Sequence, residues 1–168
     1  MKKQFINRNF KKLLLLKEKN REISSGTIKT VGVITEDANY SLLKIKQELE
    51  DVLEFNNVKF YSFRPYERKQ EVSYKHFTEK DFKWDGKIKQ PSFKVFIEEP
   101  FDLLIGLFNS KNIYIENAVL LSNAKFKAGI SNVNPQLYDL EISMPTNTNK
   151  MFFQELKKYL KILKKLKN

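Results

Sequence analysis

A chain of 168 residues, 41 % hydrophobic with five Gly and five Pro, is long enough to bury a core unaided and too apolar for wholesale disorder. It contains no cysteine, which excludes disulfides, iron–sulfur clusters, thiolate zinc sites and a cysteine nucleophile. Its net charge of +11 directs attention to polyanions, either nucleic acid or an anionic membrane surface.

The opening Met1-Lys2-Lys3 resembles a signal-peptide start, but the apolar block Leu13 to Leu16 is closed by Lys17 and no small-residue cleavage site follows. Nowhere do eighteen apolar residues run together, so no transmembrane helix is expected, and the expected compartment is the cytoplasm. The first element predicted is a basic amphipathic helix from Lys3 to Glu22. Ile6, Phe10, Leu13 and Leu14 fall at helical spacing with Leu16 widening the stripe, and Arg8, Lys11, Lys12 and Lys19 lie opposite. Ser24-Ser25-Gly26 forms a joint, which divides the chain into a terminal helix, 1–25, and an α/β domain, 26–168.

Residues 29–35 are nearly continuous in β-branched side chains and predict a buried strand. Asn39 or Ser41 is placed to cap a helix running to about Glu54, with Leu42, Ile45, Leu49, Val52 and Leu53 facing inward. A second strand, 58–63, completes a βαβ unit. Residues 64–92 have no period. A short helix from Pro91 leads to the strongest strand, 101–108, then a helix 113–123, a short strand 126–130 and an edge strand 138–144. The last helix runs from about 150 to Leu166, capped from within 146–149, with Phe152, Phe153, Leu156, Tyr159, Leu160 and Leu163 toward the core. Strands alternating with helices predict a three-layer α/β sandwich around a mainly parallel sheet of about five strands.

Ligands of such sheets bind beyond the carboxyl ends of the strands, where Thr35, Glu36, Asp37, Arg64, Asn109, Ser110, Ser131 and Asn132 fall. The first strand-to-helix turn has no glycine and carries two carboxylates, against a dinucleotide or P-loop site. Gly32, Gly106 and Gly129 are read as places of close packing. Glu36 and Asp37 point opposite ways at a strand end and need a third group to converge. His76 is the only histidine, so a His-ligated metal site is not expected; a dyad with Glu79 or Asp81 is the one histidine-based alternative. No catalytic residue, cofactor or metal is assigned.

The charge is unevenly spread. Residues 1–23 carry eight Lys/Arg against two Glu, and residues 150–168 carry seven Lys against one Glu; the 126 residues between have 16 positive and 17 negative. The competing explanation is that lysine merely solubilises two amphipathic helices. Within 64–92, Arg64, Arg68 and Lys69 join aromatics in a mixture suited to bases and phosphates, while Phe82 and Trp84 are expected to anchor the loop. The expected RNA contacts are therefore Lys2, Lys3, Arg8, Lys11, Lys12, Lys19, Arg64, Arg68, Lys69, Lys158, Lys161 and Lys165.

Residues 81–87, Phe101-Asp102-Leu103-Leu104-Ile105, residues 124–129 and residues 153–163 together resemble an uncharacterised bacterial family, a domain of unknown function, over residues 28–166. The resemblance implies an α/β fold and a lineage-specific accessory protein of the large ribosomal subunit, and carries over no catalytic residue. The function expected is non-enzymatic RNA binding, with ribosomal RNA and ribosomal proteins as partners. The alternatives are an enzyme or small-ligand domain using the strand-end crevice, and a peripheral membrane protein held by its N-terminal helix.

Overall fold

A computed structural model describes residues 1–20, 25–37, 41–71, 73, 75–131, 133–143 and 148–167, with the backbone alone at 18–20. Six parallel strands form one sheet: β1 (Val31–Glu36), β2 (Val58–Phe63), β3 (His76–Phe77), β4 (Leu103–Leu107), β5 (Lys127–Ile130) and β6 (Leu140–Ile142). Their order is β3-β2-β1-β4-β5-β6, so β1 and β4 lie side by side at the centre. Every residue of β4 is buried, as are Val31 to Thr35 of β1. Continuous apolar runs are what a parallel sheet covered on both faces requires. The sixth strand is β3, two residues inside the stretch that showed no period.

Five helices cover the sheet: α1 (Lys2–Asn20), α2 (Leu42–Leu53), α3 (Pro91–Glu98), α4 (Ile113–Leu121) and α5 (Asn149–Ile162). On one face α2 and α5 share a core with the sheet, built on Ile45, Leu49, Phe152, Phe153 and Leu156. On the other face α3 and α4 pack through Phe93, Phe96, Ile115 and Val119. Capping fixes where these two begin. The Gln90 side chain accepts from the Phe93 N–H at 3.0 Å, with Pro91 starting α3, and Asn112 accepts from the Tyr114 N–H at 3.0 Å. At the starts of α2 and α5, Ser41 and Thr148 hold the capping position without a side-chain bond; Asn39, Thr146 and Asn147 lie outside the described residues.

Helix α4 is buried on all sides rather than along a stripe, because it is covered twice. It rests on β1 and is covered in turn by α1, whose Ile6, Phe10 and Leu14 enter the same core. The terminal helix is thus built into the α/β domain. Two lysines help to hold this arrangement. Lys127, on β5, donates to the Val119 and Leu120 carbonyls at 2.7 and 3.2 Å, and Lys17 of α1 donates to the Leu120 carbonyl. Ammonium groups at the end of a helix satisfy its last carbonyls and suit its dipole.

The strand glycines are packing devices, as expected. The Phe101 ring lies where a side chain at Gly32 would go, and the Tyr138 ring crosses both Gly106 and Gly129, which are register partners on β4 and β5. Three apolar positions depart from expectation. Leu16 is exposed on α1, and Tyr159 and Leu163 are exposed at the end of the chain. The first lies off the 3.6-residue stripe set by Ile6, Phe10 and Leu14, and Leu163 lies just past the end of α5.

Candidate nucleic-acid interface and strand-end crevice

Helix α1 spends its apolar stripe on α4 and turns Lys3, Arg8, Lys11 and Lys12 outward. This burial covers Ile6, Phe10 and Leu14, while Phe5, Leu15 and Leu16 of the same helix stay exposed. Beside α1 lies the segment 79–90, joined to it at three points. Lys2 Nζ donates to the Glu79 carbonyl at 3.0 Å, Asn9 donates to the Asp85 carbonyl at 2.9 Å, and Phe5 meets Trp84 edge-on with centroids 5.8 Å apart. This segment brings Lys80, Lys83, Lys87 and Lys89 to the surface. Its acids are engaged with backbone donors: Glu79 accepts from the Tyr66 N–H, Asp81 from Thr78 and Asp85 from Lys87. The segment thus carries four lysines against three carboxylates, and Asp85 also pairs with the Lys87 ammonium at 3.8 Å. The Lys2 ammonium is held below its ordinary pKa, first by burial and then by Lys80 and Lys89.

Trp84 is 55 % exposed, against the expectation that it anchors the loop; Phe82 does anchor it, buried between Phe77 and Tyr114. The wider surface therefore presents Trp84, Phe5 and Tyr66 among lysines, with Lys80 lying 5.4 Å from the Tyr66 ring centroid.

The other residues expected to touch RNA divide. Arg68 and Lys69 are exposed, whereas Arg64 is half-buried and donates to the Glu71 carbonyl at 2.6 Å. Lys158 and Lys161 are exposed on α5, on the opposite face of the sheet from α1, so the two basic ends make two surfaces and not one. Lys165 is corrected. It is 4 % exposed, with its ammonium 4.4 Å from the Phe126 ring centroid, and its carbonyl accepts from the Ile28 N–H. Helix α5 ends at Ile162, and a left-handed Lys164 then turns the chain inward. The Lys19 side chain lies outside the described residues.

At the carboxyl ends of the strands, Glu36 and Asp37 diverge. Ser110, beyond β4, donates to Glu36 at 2.8 Å across the junction between β1 and β4. Asp37 turns to the other side, accepting from Ser62 at 3.0 Å and meeting His76 Nε2 at 2.9 Å. His76 Nδ1 in turn lies 2.8 Å from Ser73 Oγ. With Nε2 protonated, the imidazole donates to Asp37 and offers Nδ1 to the Ser73 hydroxyl, the polarity of a general base beside a nucleophile. The same bonds fasten β3 to the ends of β1 and β2. Sequence reasoning paired His76 with Glu79 or Asp81, its neighbours in the chain; parallel pairing of β3 with β2 brings it to Asp37 instead. Among the described residues, no group of three His, Asp or Glu side chains is placed to hold a metal ion, and no helix is long and apolar enough to cross a membrane.

Strand order, parallel pairing and helices on both faces define a doubly wound α/β domain, here with an extra cationic helix over one face. The chain belongs to the DUF6913 family, a family of unknown function, whose pattern matches residues 2–163. The match starts before the expected residue 28 and takes in α1 as well as α5, so both basic helices belong to the family's domain. No curated protein and no solved structure matches the chain.

Proposed function

We propose that this protein is a non-enzymatic RNA-binding protein and that it associates in the cytoplasm with the ribosome, through ribosomal RNA and neighbouring ribosomal proteins. The observation that carries this reading is the exposed Trp84 beside α1, with Arg8 5.9 Å from the ring centroid of Phe5, which Trp84 meets, and with Lys80, Lys83, Lys87 and Lys89 exposed on the same segment; Lys3 and Lys11 lie on the other flank of α1, toward Lys111. Ammonium and guanidinium groups supply affinity for phosphates with little reading of sequence, and an exposed indole stacks on unpaired bases. The lysines of α5 offer a second, opposed surface, which suits a protein lodged between RNA segments. Sedimentation with purified ribosomes through a series of salt concentrations tests the reading. Co-sedimentation at low salt that falls steadily as salt rises is expected; a protein that stays at the top of the gradient at low salt refutes it.

The hydrogen-bonded row Ser73–His76–Asp37 favours a second reading, hydrolysis by an activated serine in the strand-end region. A fluorophosphonate probe discriminates. Labelling at Ser73 that disappears in His76→Ala supports hydrolysis, and an unlabelled Ser73 leaves the row as a clasp between strands.

A further inference from the structure

Strand β3 pairs with β2 only at Ser62 and Phe63, so the outer edge of β2 from Val58 to Tyr61 has no strand beside it among the described residues. The hydrogen bonds among the described residues show which way the groups of β2 point. Asn57 offers its carbonyl inward to the Val31 N–H, whereas the N–H groups of Ser62 and Arg64 point outward to the carbonyls of Lys75 and Phe77. By the alternation of a strand, the N–H and C=O of Val58 and Phe60 also point outward. An open row of this kind is a template for another strand, and folded proteins ordinarily cover it or blunt it.

Here the edge forms the floor of a cleft of about 710 Å³ between α2 and α3. Leu43 from α2 and Val95 from α3 stand on its walls, 78 and 66 % exposed. A strand laid along β2 would direct alternate side chains toward these two walls. The rim carries Lys46, Lys59 and Lys75 against Glu99. Glu99 is taken by Lys59, with both carboxylate oxygens 3.0 Å from Nζ. Lys46 and Lys75 have no carboxylate partner among the described residues. A second copy of this chain, paired edge to edge, would bring the two lysine sets together.

We propose that this edge is a docking site for an extended segment of another protein, with apolar side chains at alternate positions and acidic residues at its flanks. The segment adds to β2 as a further strand, main-chain bonds at Val58 and Phe60 giving affinity and the two walls giving specificity. The site differs from the RNA-binding surface in its chemistry and does not depend on it.

The probe is a labelled peptide, acetyl-Glu-Val-Thr-Val-Thr-Val-Glu-amide, compared with the same peptide flanked by Lys and titrated by fluorescence anisotropy into the full chain. The acidic peptide should bind at least tenfold tighter, with hydrogen exchange slowed at the Val58 and Phe60 amides. Phe60→Pro, which removes an outward N–H where an edge position tolerates proline, should abolish binding. Lys46→Glu with Lys75→Glu should invert the preference for flanks in a protein whose edge is unchanged, so the inference stays testable if the proline variant fails to fold. Several results would overturn it: equal binding of both peptides, no binding up to millimolar peptide, or unslowed exchange at Phe60. Dimerisation through this edge by sedimentation equilibrium, or RNA protecting the same two amides, would also overturn it.

Discussion

Replacing Gly129 by Ala places a methyl group inside the Tyr138 ring. A Cβ at that position lies 2.1 Å from Tyr138 Cζ and 2.3 and 2.5 Å from its two Cε atoms, where carbon atoms ordinarily approach to about 3.5–4.0 Å. The ring also lies across Gly106, where a Cβ would be 2.3 Å from the Tyr138 hydroxyl, so it already fills the space left by both glycines. Either the buried ring leaves its place or β4 and β5 part. Overpacking of cores typically costs about 1–3 kcal/mol, and an overlap of this depth in a sheet interior belongs at the top of that range. At about 2–4 °C per kcal/mol for a domain of this size, Tm should fall by roughly 6–12 °C. Tyr138→Ala is itself destabilising, but it vacates the space the methyl needs. In that background Gly129→Ala should cost less than about 0.5 kcal/mol, or stabilise, since Ala loses less freedom than Gly on entering a strand. Denaturant melts of the wild type, both single variants and the double variant should therefore show a coupling of about 2 kcal/mol or more. Additivity within about 0.5 kcal/mol would refute the claim that the two glycines exist to seat this ring.

Other expectations concern neighbouring parts of the molecule. Phe10→Ala should cost about 3–5 kcal/mol in chemical denaturation, because α1 is part of the core; a change below about 1 kcal/mol would show α1 to be an appendage. Burial holds the Glu116 carboxyl above the usual carboxylate range, against partial relief from Asn134, Lys111 and Asn112. The folded chain then keeps this proton to a higher pH than the unfolded chain, so ionising it costs stability. Glu116→Gln should raise Tm at neutral pH, and the gain should vanish below the unfolded value of about 4.3; a gain that persists unchanged at about pH 3 would assign the effect elsewhere.

What was legible in the sequence follows the range of the interactions. The buried strands announced themselves because a parallel strand covered on both faces must be apolar throughout, as in Leu103–Leu107. The inward stripe of α1 at Ile6, Phe10 and Leu14 was equally plain. Strand β3 was not, because two residues carry no periodicity and its pairing with β2 is set by the fold. The contact of segment 79–90 with α1 was not legible either, because the bonds of Lys2 to Glu79 and Asn9 to Asp85 span 77 and 76 positions and are set by the fold. The burial of Lys165 was hidden by its own neighbourhood: helical spacing carried past Ile162 would leave it outside, and the turn at Lys164 buries it. The meeting of Asp37 with His76, 39 positions apart, depends on strand order alone.

RNA binding through phosphates at the exposed basic residues of α1 is the claim on which the proposed function stands. The most direct measurement is a salt titration of affinity for ribosomal RNA, comparing the wild type with a variant carrying Lys11→Glu and Lys12→Glu and with one carrying Lys158→Glu and Lys161→Glu, each checked by thermal melting. These positions are exposed, so stability should change by no more than about 0.5 kcal/mol. Reversal on α1 should weaken binding across RNA sequences and flatten the log–log salt slope by roughly 0.7–0.9 for each phosphate no longer neutralised. Wild-type affinity and wild-type slope in the α1 variant would contradict that claim and leave these lysines the role of keeping a helix soluble.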